Sequence, residues 1–146
     1  MPEVHKNALV KFSAQQMFEL VADIDAYQEF LPWCSGSRVI QRNGDIVDGE
    51  IQIAKAGFNK TFATRNHNFP YEKITLNLLN GPFSSLQGEW TFQALREDAS
   101  KISLDLSFEM SGALTNLAFG PVFNQICNTM VTSFIQRAKD VYGASA

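Results

Sequence analysis

The strongest constraint that this sequence places on its fold is a change of hydrophobic period near residue 112. Between residues 37 and 110, apolar residues recur at every second position in runs about 12 residues apart, with Gly, Pro or Asn-Gly between them. This pattern predicts a meander of antiparallel strands with one apolar face. The last run is the clearest, and its apolar members are Ile102, Leu104, Leu106, Phe108 and Met110.

After Gly112 the apolar residues recur at helical spacing, and Gly143 is placed to end the helix. Pro121 suits the first turn of a helix, so we expect the main helix over 121–142, with 113–119 as a separate turn or a kinked lead-in. One helix of this length lying across a curved sheet would close the core. The stripe comprises Phe119, Val122, Phe123, Ile126, Met130, Phe134, Ala138 and Val141.

The segment before the meander predicts a short strand over 5–10 and two short helices. Ser13 is a candidate N-cap with Gln16 three residues later, and a second helical turn over 27–30 is stopped by Pro32. The carboxylates Asp23 and Asp25 fall between the two helices, where capping of the second is favoured over an acid/base pair. The expected class is therefore α+β.

Composition narrows the range of functions. The chain has 146 residues, 45% of them hydrophobic, and 12 are Phe, which predicts a single globular domain over 1–146. Its net charge of -3 argues against a protein that binds nucleic acid by neutralising the phosphate backbone. We expect no DNA partner.

Cysteine usage and the first residues predict a cytoplasmic protein. Cys34 and Cys127 form no CxxC pair, and the first ten residues lack the apolar region of a signal peptide. Only His5 and His67 could join the thiols, in unrelated segments, so we expect no metal site. The uncharged stretch 110–136 contains several Asn and Gln residues and does not resemble a transmembrane helix.

No strong catalytic motif is present, since the sequence lacks GxGxxG, GxxxxGK[ST], GxSxG and HExxH. We therefore expect no catalytic residue and a protein that is not an enzyme. A Phe-rich helix instead faces strands that carry Trp90, Phe92 and Phe108. These residues form either an ordinary core or a cavity between sheet and helix that holds an apolar ligand.

A small basic segment offers a second kind of contact. Residues 55–67 contain Lys55, Lys60, Arg65 and His67 and no acidic residue. Such a surface can meet phosphate, in a lipid headgroup or in RNA, or it can be a solvated strand edge protected by lysine.

The segment 18–34, which ends in Phe-Leu-Pro-Trp-Cys, resembles the signature of a START-like family of the polyketide cyclase/dehydrase type. This family includes coenzyme Q-binding proteins and the RatA-type ribosome-association toxins. Further matching segments are 62–65, 80–83, 86–92, 108–109 and 137–143. The resemblance therefore extends over nearly the whole chain.

The resemblance implies a helix-grip fold, in which a curved antiparallel sheet wraps a long C-terminal helix and leaves an elongated apolar cavity. It also implies one of two activities, and the apolar helix and the net charge of -3 favour the first, the binding of a quinone in the cavity. Coenzyme Q-binding members bind ubiquinone, a polyprenyl quinone, and support respiration as lipid chaperones. RatA-type members bind the large ribosomal subunit and block subunit association. The quinone would be a ligand, and no cofactor is implied.

We expect the loop 30–34 at one mouth of the cavity. There Trp33 would be a gate or a membrane-facing contact, with peripheral binding at the inner membrane, or else a structural plug against the first helix. Contact with the ribosome or with a lipid headgroup is expected at Lys55, Lys60 and Arg65. The expected ligand contacts are Leu31, Trp33, Phe62, Leu76, Leu78, Phe83, Trp90, Phe108, Phe123, Ile126 and Met130.

Overall fold

A computed structural model of the chain describes residues 3–143, apart from the side chains of residues 114–116. Within this range it contains seven strands, three α-helices and one turn of 3-10 helix over Ile24–Ala26. The helices are α1 (Ala14–Ala22), α2 (Tyr27–Phe30) and α3 (Ala113–Tyr142). The strands are β1 (Glu3–Val10), β2 (Cys34–Asn43), β3 (Ile46–Lys55), β4 (Phe58–Phe69), β5 (Lys73–Asn80), β6 (Phe83–Arg96) and β7 (Ala99–Met110).

The strands form one antiparallel sheet in the order β1-β7-β6-β5-β4-β3-β2. The predicted meander is confirmed, because each strand from β2 to β6 pairs with the next strand along the chain. β1 pairs with β7, from Glu3 opposite Ser107 to Val10 opposite Ser100. The sheet, α1 and α3 share a single hydrophobic core. The predicted α+β helix-grip fold is therefore confirmed.

The N-terminal predictions are correct for one cap and wrong for the other. Ser13 Oγ accepts the N–H of Gln16 at 3.0 Å, and Gln16 Oε1 accepts the N–H of Ser13 at 2.9 Å, which completes the capping box of α1. Asp23 makes no side-chain cap to the 3-10 turn. Asp25 Oδ1 instead accepts the backbone N–H of Val39 at 2.9 Å. This carboxylate therefore joins the short helices to β2.

Helix α3 begins at Ala113, eight residues before the predicted start, and continues through Pro121. Pro121 lacks the N–H that would bond to the carbonyl four residues earlier, but its ring fixes a helical φ. Gly120 precedes it and has no Cβ to clash with the proline ring. Phe119 and Phe123, on either side, are 0% and 3% exposed. Their burial offsets the lost hydrogen bond, so the lead-in and the main helix are continuous.

The buried face of α3 agrees with the predicted stripe over most of its length. Cys127 and Val131 also belong to it, whereas Val141 is 49% exposed, so its predicted burial is wrong. Val141 lies in the last turn, and a periodic pattern identifies a face without showing how far the sheet covers it. Gly143 ends the helix as predicted, and its N–H donates to the carbonyl of Lys139 at 2.9 Å.

Two glycines of the sheet allow a matched test of this packing. A Cβ on Gly88 would lie 2.9 Å from Leu106 Cα and closer still to the carbonyl oxygen of Asp105. Gly44, in the turn between β2 and β3, has a φ of +63° and open space around it. We predict that Gly88→Ala lowers the free energy of unfolding by about 2–3 kcal/mol through overpacking, and Gly44→Ala by about 1 kcal/mol through backbone strain. Urea denaturation measures both, and an equal or smaller loss for Gly88→Ala would contradict the register of β6 and β7.

Candidate functional site

Two groups of aromatic rings hold α3 against the concave face of the sheet. The first surrounds Phe123, whose ring centroid lies 5.9 Å from that of Phe62, 4.9 Å from that of Phe83 and 4.8 Å from that of Phe108. All three ring pairs meet edge to face, a favourable arrangement for aromatic side chains. We call these four residues the first aromatic anchor.

The second aromatic anchor lies three helical turns further along α3, around Phe134. The ring of Phe134 lies 5.4 Å from that of Tyr27, 5.3 Å from that of Phe30 and 5.3 Å from that of Trp90. Arg137 extends this group, because its guanidinium lies 4.8 Å from the Phe30 ring and pairs with Glu29 at 3.4 Å. The second anchor therefore ties α3 to α2.

A cavity of about 80 Å³ lies between sheet and helix, along the stretch of α3 that separates the two anchors. On the helix side it meets Ile126, Cys127 and Met130, which have no rings to fill the space. Among the described residues that line it, none is charged. The wall is formed by Ile24, Tyr27, Trp33, Gly49, Ile51, Ile53, Phe62, Thr64, Asn66, Leu76, Leu86, Trp90, Leu104, Leu106, Phe123, Ile126, Cys127 and Met130.

Two polar side chains from β4 enter this apolar wall. Thr64 and Asn66 are each 7% exposed, and the Thr64 hydroxyl donates to Asn66 Oδ1 at 2.7 Å. Tyr27 also lines the cavity, but its hydroxyl is engaged with the carbonyl of Val21. Burial raises the pKa of Tyr27, so the phenol stays protonated. The polar groups of the cavity are therefore neutral.

The structure brings most of the predicted ligand contacts to one wall. Trp33, Phe62, Leu76, Trp90, Phe123, Ile126 and Met130 all line the cavity. Leu31, Leu78, Phe83 and Phe108 do not, among the residues described. Phe83 and Phe108 belong to the first aromatic anchor, Leu31 is buried in the core, and Leu78 is half-buried against it. The binding role of the whole set stays a prediction.

Several lining residues were absent from the sequence-based prediction. Four of them occupy apolar positions of the alternating strands β3 and β7, so the alternation in the sequence could have identified them as facing the cavity. These residues are Ile51, Ile53, Leu104 and Leu106. Thr64 and Asn66 were missed because β4 alternates poorly. In that strand Phe62, Ala63 and Thr64 are buried in succession, and a register irregularity lies between Ala63 and Thr64. Sequence parity cannot be extended through such an irregularity.

Trp33 lies in the interior. It is 5% exposed, it lines the cavity, and its carbonyl accepts the N–H of Ala54 at 2.8 Å. Its indole nitrogen is buried with no hydrogen-bond partner within residues 3–143. This placement favours the structural plug over a membrane-facing contact.

The three predicted cations do not share one surface. Lys55 and Lys60 lie at the end of the β3–β4 hairpin, where Lys60 is opposite Ile53. Both lysines have the same parity as the inward-facing residues Ile53 and Phe62 of their strands. Arg65 has the opposite parity, and its guanidinium pairs with the Asp48 carboxylate at 2.8 Å. The Arg65 guanidinium holds the pKa of Asp48 below its usual value. Only the two lysines, which we call the hairpin lysines, lie on the same side.

Both cysteines are free and buried. The thiol of Cys34 donates to the carbonyl of Gly36 at 3.3 Å, and burial raises the pKa of both thiols, that of Cys127 strongly. Within the described range no group of His, Cys, Asp and Glu side chains is arranged to hold a metal ion. None of the described helices is long and apolar enough to span a bilayer.

Comparison with known proteins places this fold among relatives. The family described as polyketide cyclase / dehydrase and lipid transport matches residues 10–135. The ribosome association toxin RatA of Pseudomonas aeruginosa is 45% identical over 140 residues, which is 96% of this chain and 97% of that protein. RatA of Vibrio cholerae is 46% identical over 143 residues, covering 98% and 99%. A coenzyme Q-binding protein COQ10 homolog B of Xenopus laevis is 24% identical, covering 97% of this chain and 59% of that protein.

Solved structures share the fold at low sequence identity. A Thermus thermophilus protein has a TM-score of 0.81 at 16% identity and covers 99% of this chain and 100% of its own. A STAR-related lipid transfer protein of Xanthomonas axonopodis has a TM-score of 0.73 at 9% identity, covering 94% and 85%. An aromatase/cyclase of Streptomyces has a TM-score of 0.71 at 18% identity, covering 97% and 88%. Because the fold also serves an enzyme, the expectation of a chain without catalytic activity stays a prediction.

Proposed function

Because the chain belongs to the polyketide cyclase/dehydrase and lipid transport family, and within it to the family of the ribosome association toxin RatA, we propose that it binds the large ribosomal subunit in the cytoplasm and blocks association of the subunits. The observation that carries this proposal is the identity of 45–46% over nearly the full length of both chains. The sequence alone favoured the binding of a quinone, and the identity to these relatives supports ribosome binding better.

The net charge of -3 limits where the ribosome could be contacted. Ribosomal RNA presents a dense negative charge, so a contact needs local cations that are not already paired. Arg38, Arg65, Arg96 and Arg137 each form an ion pair with an acidic side chain. The hairpin lysines form none within residues 3–143, and no acidic residue occurs between them.

The geometry of the hairpin supports a joint role for these lysines. Lys60 pairs with Ile53, and Lys55 lies two residues beyond Ile53 on the same face, so the lysines are diagonal neighbours about 7–8 Å apart. Phe58, between them in the chain, packs its ring 5.3 Å from Phe119 of α3. The hairpin end is thereby fixed beside the helix. We propose this end as the ribosome-facing surface.

We predict that Lys55→Glu/Lys60→Glu weakens binding to large subunits about tenfold or more and lowers the slope of log affinity against log salt by about two. Cosedimentation with purified subunits at several salt concentrations measures both quantities. The matched control is Lys6→Glu/Lys11→Glu, with the same change of charge at the opposite end of the strand order, and it should bind like the parent. Arg65→Gln should also bind like the parent, because its cation is already paired.

Two results would contradict these proposals. If the unaltered chain does not cosediment with large subunits and does not slow the joining of subunits, the proposed function is wrong. If both double variants lose affinity equally, net charge matters and the hairpin lysines have no special role.

A second candidate function rests on the cavity. We propose that the chain also binds an apolar molecule there, since an uncharged wall with two polar side chains is typical of sites for such ligands. An apolar cavity of about 150 Å³ is known to admit benzene, so a volume of about 80 Å³ must widen to admit a quinone ring. Ile51, Leu76 and Met130 are half-buried, and a flexible Met side chain can move aside. A polyprenyl quinone would occupy this site only in a widened state.

Mass spectrometry of lipids extracted from the purified chain tests the second candidate. We expect an apolar molecule at a substantial fraction of the protein concentration, and its loss in Phe123→Asp, which places a charge in the wall. Circular dichroism checks that this variant still folds. Phe69→Asp, on the outer face of β4, is the control and should retain the molecule. If the extract of the unaltered chain contains no apolar molecule, the proposed binding of an apolar ligand is contradicted.

A further inference from the structure

The two polar side chains of the cavity wall differ in how fully their hydrogen-bonding groups are used. The Thr64 hydroxyl donates to Asn66 Oδ1 at 2.7 Å, which satisfies the amide oxygen and sets the orientation of the amide. Asn66 Nδ2 makes no hydrogen bond within residues 3–143, although Asn66 is 7% exposed. Asn66 lines the cavity, so its amide N–H is available to an acceptor that enters it.

The rest of the wall offers one further donor and no charged group. Trp33 lines the same cavity, and its indole N–H also lacks a partner. The Tyr27 hydroxyl is occupied by the carbonyl of Val21. An indole and an amide NH₂ can only donate, and a charged ligand would find no counter-ion among the described lining residues.

We propose that Asn66 Nδ2 is the recognition group of the cavity and that the cavity selects an uncharged apolar molecule carrying a carbonyl oxygen, such as a ketone, an ester or a quinone. Fatty acids and phospholipids are rejected because their charged groups would be buried unpaired. This inference rests on the proposed binding of an apolar ligand. It adds the chemical class of that ligand and the residue that recognises it.

The chain contains a close control for Asn66. Asn68 is the same residue type on the same strand and has the same parity, and it is 8% exposed, but it does not line the cavity. The variants Asn66→Leu and Asn68→Leu therefore make the same chemical change at equal burial. Only the first removes a donor from the wall.

The experiment uses three probes with similar chains: decyl-ubiquinone, decylbenzene and decanoate. Quenching of the fluorescence of Trp33 and Trp90, which both line the cavity, reports the quinone, and the other two probes are measured by competition. We expect Asn66→Leu to weaken quinone binding about tenfold, the effect of one lost hydrogen bond to a neutral acceptor. Asn68→Leu should change it less than about twofold. Decylbenzene should bind both variants like the parent, and decanoate should bind at least about tenfold more weakly than the quinone.

The outcomes separate this inference from the proposal on which it rests. Unchanged quinone affinity in Asn66→Leu, or tight binding of decanoate, overturns the inference while apolar binding stands. If neither the quinone nor decylbenzene binds the unaltered chain, apolar binding is wrong and the inference falls with it. If Asn66→Leu does not fold, Thr64→Val replaces it, because the freed amide can rotate. About threefold weaker quinone binding then supports the inference, and unchanged binding overturns it.

Discussion

The packing of α3 between two aromatic anchors is the interaction on which the rest of the structure depends. Phe123 inserts among rings from β4, β6 and β7, and Phe134 among rings from α2 and β6. Large rings at both positions keep the helix axis away from the sheet, while Ile126, Cys127 and Met130 between them cannot fill the gap. The cavity therefore follows from the order of large and smaller residues along one helix.

Most strands of the sheet and the closing helix could be predicted because their apolar residues recur at a regular period. Apolar and polar residues alternate at every position from Ile102 to Met110. Gly143 ends α3 because glycine readily adopts the positive φ, here +88°, that ends a helix. The start of α3 could not be predicted, because a proline-based rule ignores the burial that Phe119 and Phe123 gain. The inward orientation of Thr64 and Asn66 could not be predicted either, because a register irregularity interrupts the alternation of β4. The strand register was needed to determine which cations lie on the same surface, and it separates Arg65 from the hairpin lysines.

The two proposed functions use different parts of the molecule. The hairpin lysines lie at the end of β3 and β4, outside the cavity wall, and the neutral donors lie inside it. The half-buried lysines act through electrostatic attraction that salt weakens, whereas the amide of Asn66 acts through one oriented hydrogen bond. Substitutions on one part should therefore leave the other part intact. A ligand that widens the cavity must displace residues of the wall, and that is where the two sites could become coupled.

The most direct test of this structural account is xenon binding followed through the methyl groups of the chain by NMR. Xenon enters dry apolar cavities without needing a polar contact. The account predicts xenon-dependent shifts for methyl groups of Ile53, Leu104 and Ile126, which line the gap between the anchors. Val10 and Ile102 are equally buried but do not line it, and their methyl groups should not shift. Shifts spread evenly over the core, or none at Ile126, would contradict a cavity held open by the two aromatic anchors.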